Sequence, residues 1–479
     1  MIQNRISLRD PEGHLLIQGG HVLRSVELSS ADKLRFFLAS AAASQLIESG
    51  RLVQTKILDH PPNRSTPPVE HTEGPKILWE HERIPFPSYP YEWPAEMLYA
   101  AGCLTLEIAE MLLPEGITIK DASPFNVLFR GPNPVFVDLL SFERRDPRDP
   151  VWKPCAQFKR TFLLPLLVNK YFGLGLDQIF TSDREGIEPE KVYRLGNAIQ
   201  RFMPQFLWSV TLPSWLGRYQ RFSRSSIYRK RYDKESERAQ FILSLLFKRL
   251  RRQLGKMAPH NGKKNSVWSN YLETKIYSRD EFAQKGTFVE DVLREYSPKW
   301  VLDVGCNTGY FSSMAARCRA SVVAIDNDPV VTGMVWRMAH SKQLNILPLV
   351  INFGQPSPAT GWRNAENPSF LDRAQGIFDA VMMLAVIHHL LVREGIPLIE
   401  IVRLLADLTT DLLLIEFVSP ADPMFGKLMR GREDLFKDLT PTVFESTCRQ
   451  HFVLLRKVEL QNGRRGLYLM RRKGARIDG

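Results

Sequence analysis

The sequence predicts an α/β carboxyl-terminal half built on a parallel sheet, preceded by a separate α+β unit. Three observations predict it. The run WVLDVGCNTGYFSSMAA, Trp300 to Ala316, reads as a strand, a glycine turn and a helix start. Further apolar runs, SVVAIDNDP, LPLVINFG, FDAVMMLAVIHHLL and DLLLIEFV, follow it at intervals that leave room for a helix between strands. The first 217 residues instead combine a short hairpin signal with apolar residues at helical spacing.

Each element of the second half has a local reason. Val301, Leu302 and Val304 form the apolar run of a buried parallel strand, Gly305 and Gly309 let the backbone bend tightly, and a helix begins near Tyr310. The second strand ends in Asp326, where a carboxylate can accept both hydroxyls of a ribose. Asp328 reads as a turn residue, because Pro329 follows it and starts the next helix. The third strand ends at Asn352 and Phe353. A fourth runs from Asp379 to the His388-His389 pair, and a fifth ends at Glu416. FVLLRKVEL and GLYLMRRK, separated by QNGRR, read as a closing β-hairpin.

The turn's spelling selects its ligand. A dinucleotide fingerprint needs G-x-G-x-x-G, but Asn307 replaces the second glycine and Tyr310 the third, so a pyrophosphate would meet side chains where it needs bare backbone. The acid at 303 followed by G-C-N-T-G resembles motif I of class I S-adenosylmethionine (SAM) methyltransferases. That resemblance implies a Rossmann-like domain of seven strands, the last inserted antiparallel, over residues 300–473, with SAM as cofactor. It places Asp303, Gly305, Cys306, Asn307 and Gly309 in the cofactor turn, Asp326 at the ribose, Asn327 beside it among the cofactor-binding residues, and Asn352 and Phe353 at the adenine. Cys306 is there as a small residue. More narrowly, NFGQPSPATGW, AVIHHLL, IEFVSPADPMF, REDLF and GLYLM resemble a bacterial family that includes rhizobial nodulation methyltransferase-like proteins. In those proteins a W-x-x-Y and a K-x-x-F helix precede the block, matched here by Trp268, Tyr271, Lys285 and Phe288.

Methyl transfer from a sulfonium is an in-line displacement, so the protein's main tasks are alignment and exclusion of water. A hydroxyl acceptor gains from a base. His388 or His389, at the carboxyl end of strand four, stands where ligands bind open α/β sheets, and Glu416, Asp422 and Arg432 are further candidates for the acceptor side. The bland alternative is that the histidines orient or pack beneath the loop. Asp303 serves either the methionine amine or the bracing of the turn. No N-P-P-Y or D-P-P-Y tetrapeptide follows strand four, so amide or adenine-amine methylation is not expected.

The amino-terminal half holds a second constellation. GITIKDASPFNVLFRGPNPVFVDLLSFE places Asp121, Pro124 and Asn126 in D-x-x-P-x-N order, with Asp138 after a short hairpin. This resembles the catalytic loop and metal-binding aspartate of protein-kinase-like folds, and the helix AEMLYAAGCLTLEIAEMLL suits the position before that loop. The departures point to a reduced domain: lysine stands where H-R precedes the aspartate, Leu139-Leu140 where F-G would follow, and no G-x-G-x-x-G loop precedes. Gly13, Gly19 and Gly20 suit a bland hairpin better than a phosphate cover. Lys56 is the nearest candidate for the strand lysine.

At 479 residues and 44% hydrophobic, the chain can bury two or three cores. No apolar run reaches the roughly 18 residues needed to span a bilayer, and MIQNRISLRD lacks a secretory signal, so the cytoplasm is the default compartment. Five cysteines in no C-x-x-C pair suggest neither a zinc site nor a disulfide framework, and no metal is expected. Residues 218–265 carry fifteen Lys and Arg against three acids, an excess equal to the chain's whole net charge of +12. This segment reads as a basic amphipathic helix and a polar linker, HNGKKNS. It suits an anionic membrane, a nucleic acid or an acidic partner, or else an inter-domain helix whose apolar face, Phe241, Leu245, Leu246 and Leu250, packs on a neighbour. Trp208 and Trp215 read as core aromatics, and the proline-rich stretch 60–75 as a loop. The expected division is 1–217, 218–265 and 266–479. The expected function is methylation of a hydroxyl on a glycan or small molecule, with the first domain positioning the acceptor. The alternatives are a bifunctional enzyme with an active kinase-like domain, an RNA methyltransferase and a non-catalytic SAM-binding protein.

Overall fold

The computed structural model describes residues 12–58, 76–220, 232–259, 278–429, 431 and 433–475. Trp268, Tyr271, Arg432, the stretch 60–75, the linker, and much of the basic segment outside its helix lie beyond the described residues. The chain forms two compact units, Met1–Asn261 with Thr360–Asn367, and Gly262–Ala359 with Pro368–Gly479.

Among the described residues, unit 1 opens on a sheet of four antiparallel strands, β1 (Gly13–Gln18), β2 (His21–Glu27), β3 (Thr55–Leu58) and β4 (Lys76–His81), in the order β1-β2-β4-β3. Gly19 and Gly20 take φ of +58° and +88° and close the β1–β2 hairpin as a plain turn. The helix Ala95–Leu112 follows. By length and composition it would suffice to cross a membrane, contrary to the reading of the sequence, yet eleven of its residues are buried, which is how a core helix behaves. Next, β5 (Ile117–Ile119) pairs with β8 (Phe142–Arg144), and β6 (Val127–Arg130) with β7 (Asn133–Phe136). The helix Ser236–Met257 belongs to this unit and buries Ala239, Leu243, Phe247, Leu250, Leu254 and Met257. Of the face expected to pack, only Leu250 does so fully: Phe241 is 62% exposed and Leu245 48%. Both faces are apolar, but the 4-4-3-4-3 spacing of the buried residues follows the helical period more continuously. Trp208 and Trp215 are also exposed rather than core residues.

Unit 2 is a seven-stranded sheet of β9 (Trp300–Val304), β10 (Ser321–Asp326), β11 (Ile346–Val350), β12 (Phe378–Met383), β13 (Thr409–Val418), β14 (Phe452–Leu460) and β15 (Arg465–Arg472). Its order is β11-β10-β9-β12-β13-β15-β14. The first five neighbours run parallel, and β15 lies antiparallel to β13 and β14. The order reverses beside β9, which opens a crevice at the carboxyl ends of β9, β10 and β12. The helix Arg279–Tyr296 precedes the sheet, started by a capping box between Ser278 and Glu281, and carries Lys285 and Phe288 on its buried face. The fourth strand stops earlier than expected. It ends at Met383, Ala385 turns the chain at φ +60°, and His388-His389 lie on the helix Ile387–Val392. The unbroken apolar run across this junction hides the break from periodicity.

Candidate active site

A cavity of about 160 Å³ opens at this crevice of unit 2. Its floor is the turn after β9. Gly305 and Gly309 take φ of +72° and +81°, and a Cβ on Gly305 would lie 2.3 Å from Val386 Cγ2. Only glycine fits a left-handed, closely approached position of this kind. The Gly305 and Cys306 N–H groups donate to the Ile325 carbonyl at 2.8 and 3.0 Å, tying the turn to the end of β10.

Two carboxylates stand at the strand ends. Asp303 is 3% exposed and accepts a 2.5 Å bond from Ser312 Oγ, so it braces the turn while reaching the cavity wall. Asp326 Oδ2 accepts from the Asn307 N–H and Oδ1 from the Asp328 N–H, both at 3.0 Å. Each oxygen of that carboxylate can accept a further bond. Burial pushes both acids up to about 6; bonds from Ser312 to Asp303, and from backbone N–H groups to Asp326, oppose it. Asp328 caps the helix Pro329–Lys342 through the Val330 N–H.

Cys306, Asn307, Asn327, Asn352 and Phe353 also line the cavity, whereas Gly309 sits behind it as the cap of the next helix. The histidine pair divides. His389 is on the cavity wall, its imidazole pushed down to about 4 by burial and by the Arg393 charge. His388 is 2% exposed, has no hydrogen-bond partner at Nδ1 among the described residues, lies near-parallel to Phe425 at 6.2 Å, and is outside the cavity lining. Burial, and after it the charges of His389, Arg465 and Lys285, keep it neutral.

Glu416 is not at the cavity either. It is fully buried on β13, where Lys285 Nζ donates to Oε2 at 2.6 Å and Arg465 Nη1 to Oε1 at 3.2 Å. Arg465 also grips Asp422 through Nε at 2.7 Å and Nη2 at 3.2 Å. Asp422 thus serves the same interior cluster of two acids and two bases. Lys285 alone of the four reaches the cavity wall, with its ammonium 5.1 Å from the Phe311 ring centre. Its place was legible as a lone lysine on the apolar stripe of Phe288, Val289 and Val292; Arg465, within a strand-end cluster of basic residues, carried no such signal.

In unit 1, Asp121, Asn126 and Asp138 lie in one hydrogen-bonded group. Asn126 Nδ2 donates to the Asp121 carbonyl at 3.1 Å and to Ser141 Oγ at 3.2 Å, and Ser141 Oγ donates to Asp138 Oδ2 at 2.5 Å. Gln157 Nε2 donates to Asp121 Oδ1 at 2.6 Å. The cation facing Asp138 is Arg24 of β2, at 2.7 Å; Lys56 is 70% exposed and pairs with Glu80 instead. Burial, then the Arg24 charge, pushes the adjacent His81 down to about 3. Among the described residues no group of three or more His, Cys, Asp or Glu is placed to hold a metal ion.

Residues 277–464 match the family model of a methyltransferase domain. Nodulation protein NoeA of Rhizobium meliloti (strain 1021) is 29% identical over 471 residues, 97% of this chain and 95% of that protein. Among solved structures, N-methyltransferase NodS from Bradyrhizobium japonicum WM9, in complex with S-adenosyl-l-homocysteine, is 13% identical, covers 43% of this chain and 100% of its own, and has a TM-score of 0.30. The bifunctional kinase-methyltransferase WbdD is 21% identical over 42% of this chain and 41% of its own, also with a TM-score of 0.30. The cavity fits SAM: a glycine floor for close approach, a strand-end carboxylate for the ribose, apolar Ile351 and Phe353 for a flat ring, and a buried ammonium for a carboxylate. With the methyltransferase-domain match over that same unit, the chain is a class I SAM-dependent methyltransferase.

Proposed function

We propose that unit 2, with the Rossmann-like fold of its class, methylates a hydroxyl of a glycan or other small hydroxylated compound, and that unit 1 positions this acceptor. The observation that carries the reading is a neutral imidazole, His389, on the wall of the cofactor cavity. A hydroxyl must lose its proton as it attacks, and an uncharged imidazole can accept it. SAM would supply the electrophilic methyl. Asp326, seconded by Asn327, would hold the ribose; Phe353 and Asn352 the adenine; Asp303 the methionine amine; Lys285 its carboxylate. The turn Gly305–Cys306–Asn307 would set the cofactor's depth. The test is to incubate the purified protein with methyl-labelled SAM and fractionated extract. Label in a base-stable ether of a glycan or small molecule is expected; label in RNA or a protein amine overturns the acceptor assignment, and none in any fraction favours a non-catalytic SAM-binding protein.

Unit 1 supports a second, narrower reading as a reduced kinase-like fold. The chain order of a small antiparallel sheet, a long helix, the Asp121–Asn126 loop, a hairpin and Asp138 follows that plan. On this reading Arg24, on the strand directly before the helix Leu28–Leu38 and paired with Asp138, would stand for the strand lysine of the plan. Arginine is a poor replacement there, because its planar fork cannot occupy a point ammonium's place. Calorimetry with ATP and magnesium is expected to show no binding; magnesium-dependent binding would favour the bifunctional enzyme.

A further inference from the structure

The helix Ser236–Met257 has two apolar faces, and unit 1 covers one of them. On the outward face Phe241, Leu245, Lys248 and Arg252 follow at spacings of four, three and four, one side of a helix. Phe241 is 62% and Leu245 48% exposed, and Arg249, Arg252 and Lys256 are exposed beside them. The helix carries six basic residues and one acid, Glu237. Of the six, Arg251 points aside to Glu110 and Arg238 pairs with Asp233. Next to this face stands Trp208, 52% exposed, with the Arg249 guanidinium 5.2 Å above its ring.

We propose that this face seats the protein on an anionic lipid surface, with Phe241, Leu245 and Trp208 entering the headgroup boundary and Lys248, Arg249, Arg252 and Lys256 meeting lipid phosphates. Charge sets the sign of the partner, and the apolar residues set its kind. A nucleic-acid backbone would satisfy the cations but offers no hydrocarbon for Leu245 and Phe241, whereas a bilayer interface takes both at once. A tryptophan carrying a cation on its ring is likewise suited to the headgroup level, where one part of the side chain is wet and the other is not. The proposal is independent of the methyl-transfer chemistry and is tested without cofactor.

Full-length protein is sedimented with phosphatidylcholine vesicles, with and without phosphatidylglycerol. Binding to the anionic vesicles is expected to be at least about tenfold tighter than to the neutral ones and to weaken with salt. Phe241→Ser with Leu245→Ser, and separately Arg249→Glu with Arg252→Glu, should each lower it by about tenfold or more. These side chains are exposed, so unchanged circular-dichroism melts and SAM binding establish that the variants are folded. No preference for anionic vesicles overturns the proposal. So does full retention by the Phe241 and Leu245 variant, which leaves a purely electrostatic surface of the kind a nucleic acid uses. Light scattering closes the last route: a dimer that the apolar variant dissolves would make the face a contact between copies.

Discussion

Asp326 combines two demands on one carboxylate. It bonds the backbone of the turn and, on the proposed reading, receives the ribose, so both are tested by shortening it. Asp326→Ala should lower SAM affinity by more than about tenfold, since charge-assisted bonds contribute roughly 1.5–3 kcal/mol each, while the domain stays folded; calorimetric binding equal to wild type rejects this. Its raised pKa gives a pH signature with opposite signs for binding and folding. Holding a hydroxyl requires the ionised form, and Asp303, raised to the same value, must be ionised to hold the methionine amine, so SAM affinity should be flat well above pH 6 and fall below it, with a slope shallower by about tenfold per pH unit in Asp326→Asn. Stability runs the other way. A carboxyl raised from 3.8 to about 6 by folding stabilises the cofactor-free state fully below 3.8, and this contribution is lost as pH rises through 6. The histidines separate at this scale too. His389→Ala should reduce kcat by about 10²-fold or more with little change in SAM affinity, whereas His388→Phe should leave the pH profile of kcat in place.

Elements explain what was legible beforehand and what was not. Strands β9 to β13 and the closing hairpin announce themselves because a buried parallel strand needs a continuous apolar run and a turn needs glycine or a polar break. The cofactor side was readable for the same reason, since Gly305 and Asp326 are demanded by local backbone geometry and strand-end position. Glu416 shows the limit. From sequence it is an acid at the end of a strand, and whether it faces a substrate or a partner depends on Lys285, 131 residues earlier, and Arg465, 49 later. Arg24 likewise carries no local signal of its role, being 114 residues from Asp138. Removing one member of the buried cluster leaves a charge without its counter-ion. Glu416→Ala should therefore destabilise unit 2 by about 3–5 kcal/mol, read as a shift of its denaturant transition. A shift under about 1 kcal/mol would mean that water reaches the site.

At the scale of the whole molecule the two units are not two successive lengths of chain. Unit 1 includes Thr360–Asn367, where Arg184 Nη1 donates to Glu366 at 3.2 Å and Thr360 Oγ1 to the Tyr91 hydroxyl at 3.4 Å. Replacing these eight residues by a glycine-serine bridge should lower the melting temperature of unit 1 while SAM affinity stays within about twofold; an unchanged melt would mean that the segment contributes nothing to that unit.

A ribosome making this protein releases the residues up to Asn261 long before the last eight of the same unit exist. The earlier-made unit therefore waits, unfinished, while the start of its neighbour is translated. A gene cut between the two would yield an amino-terminal fragment lacking its own final piece and a carboxyl-terminal fragment carrying it as an orphan.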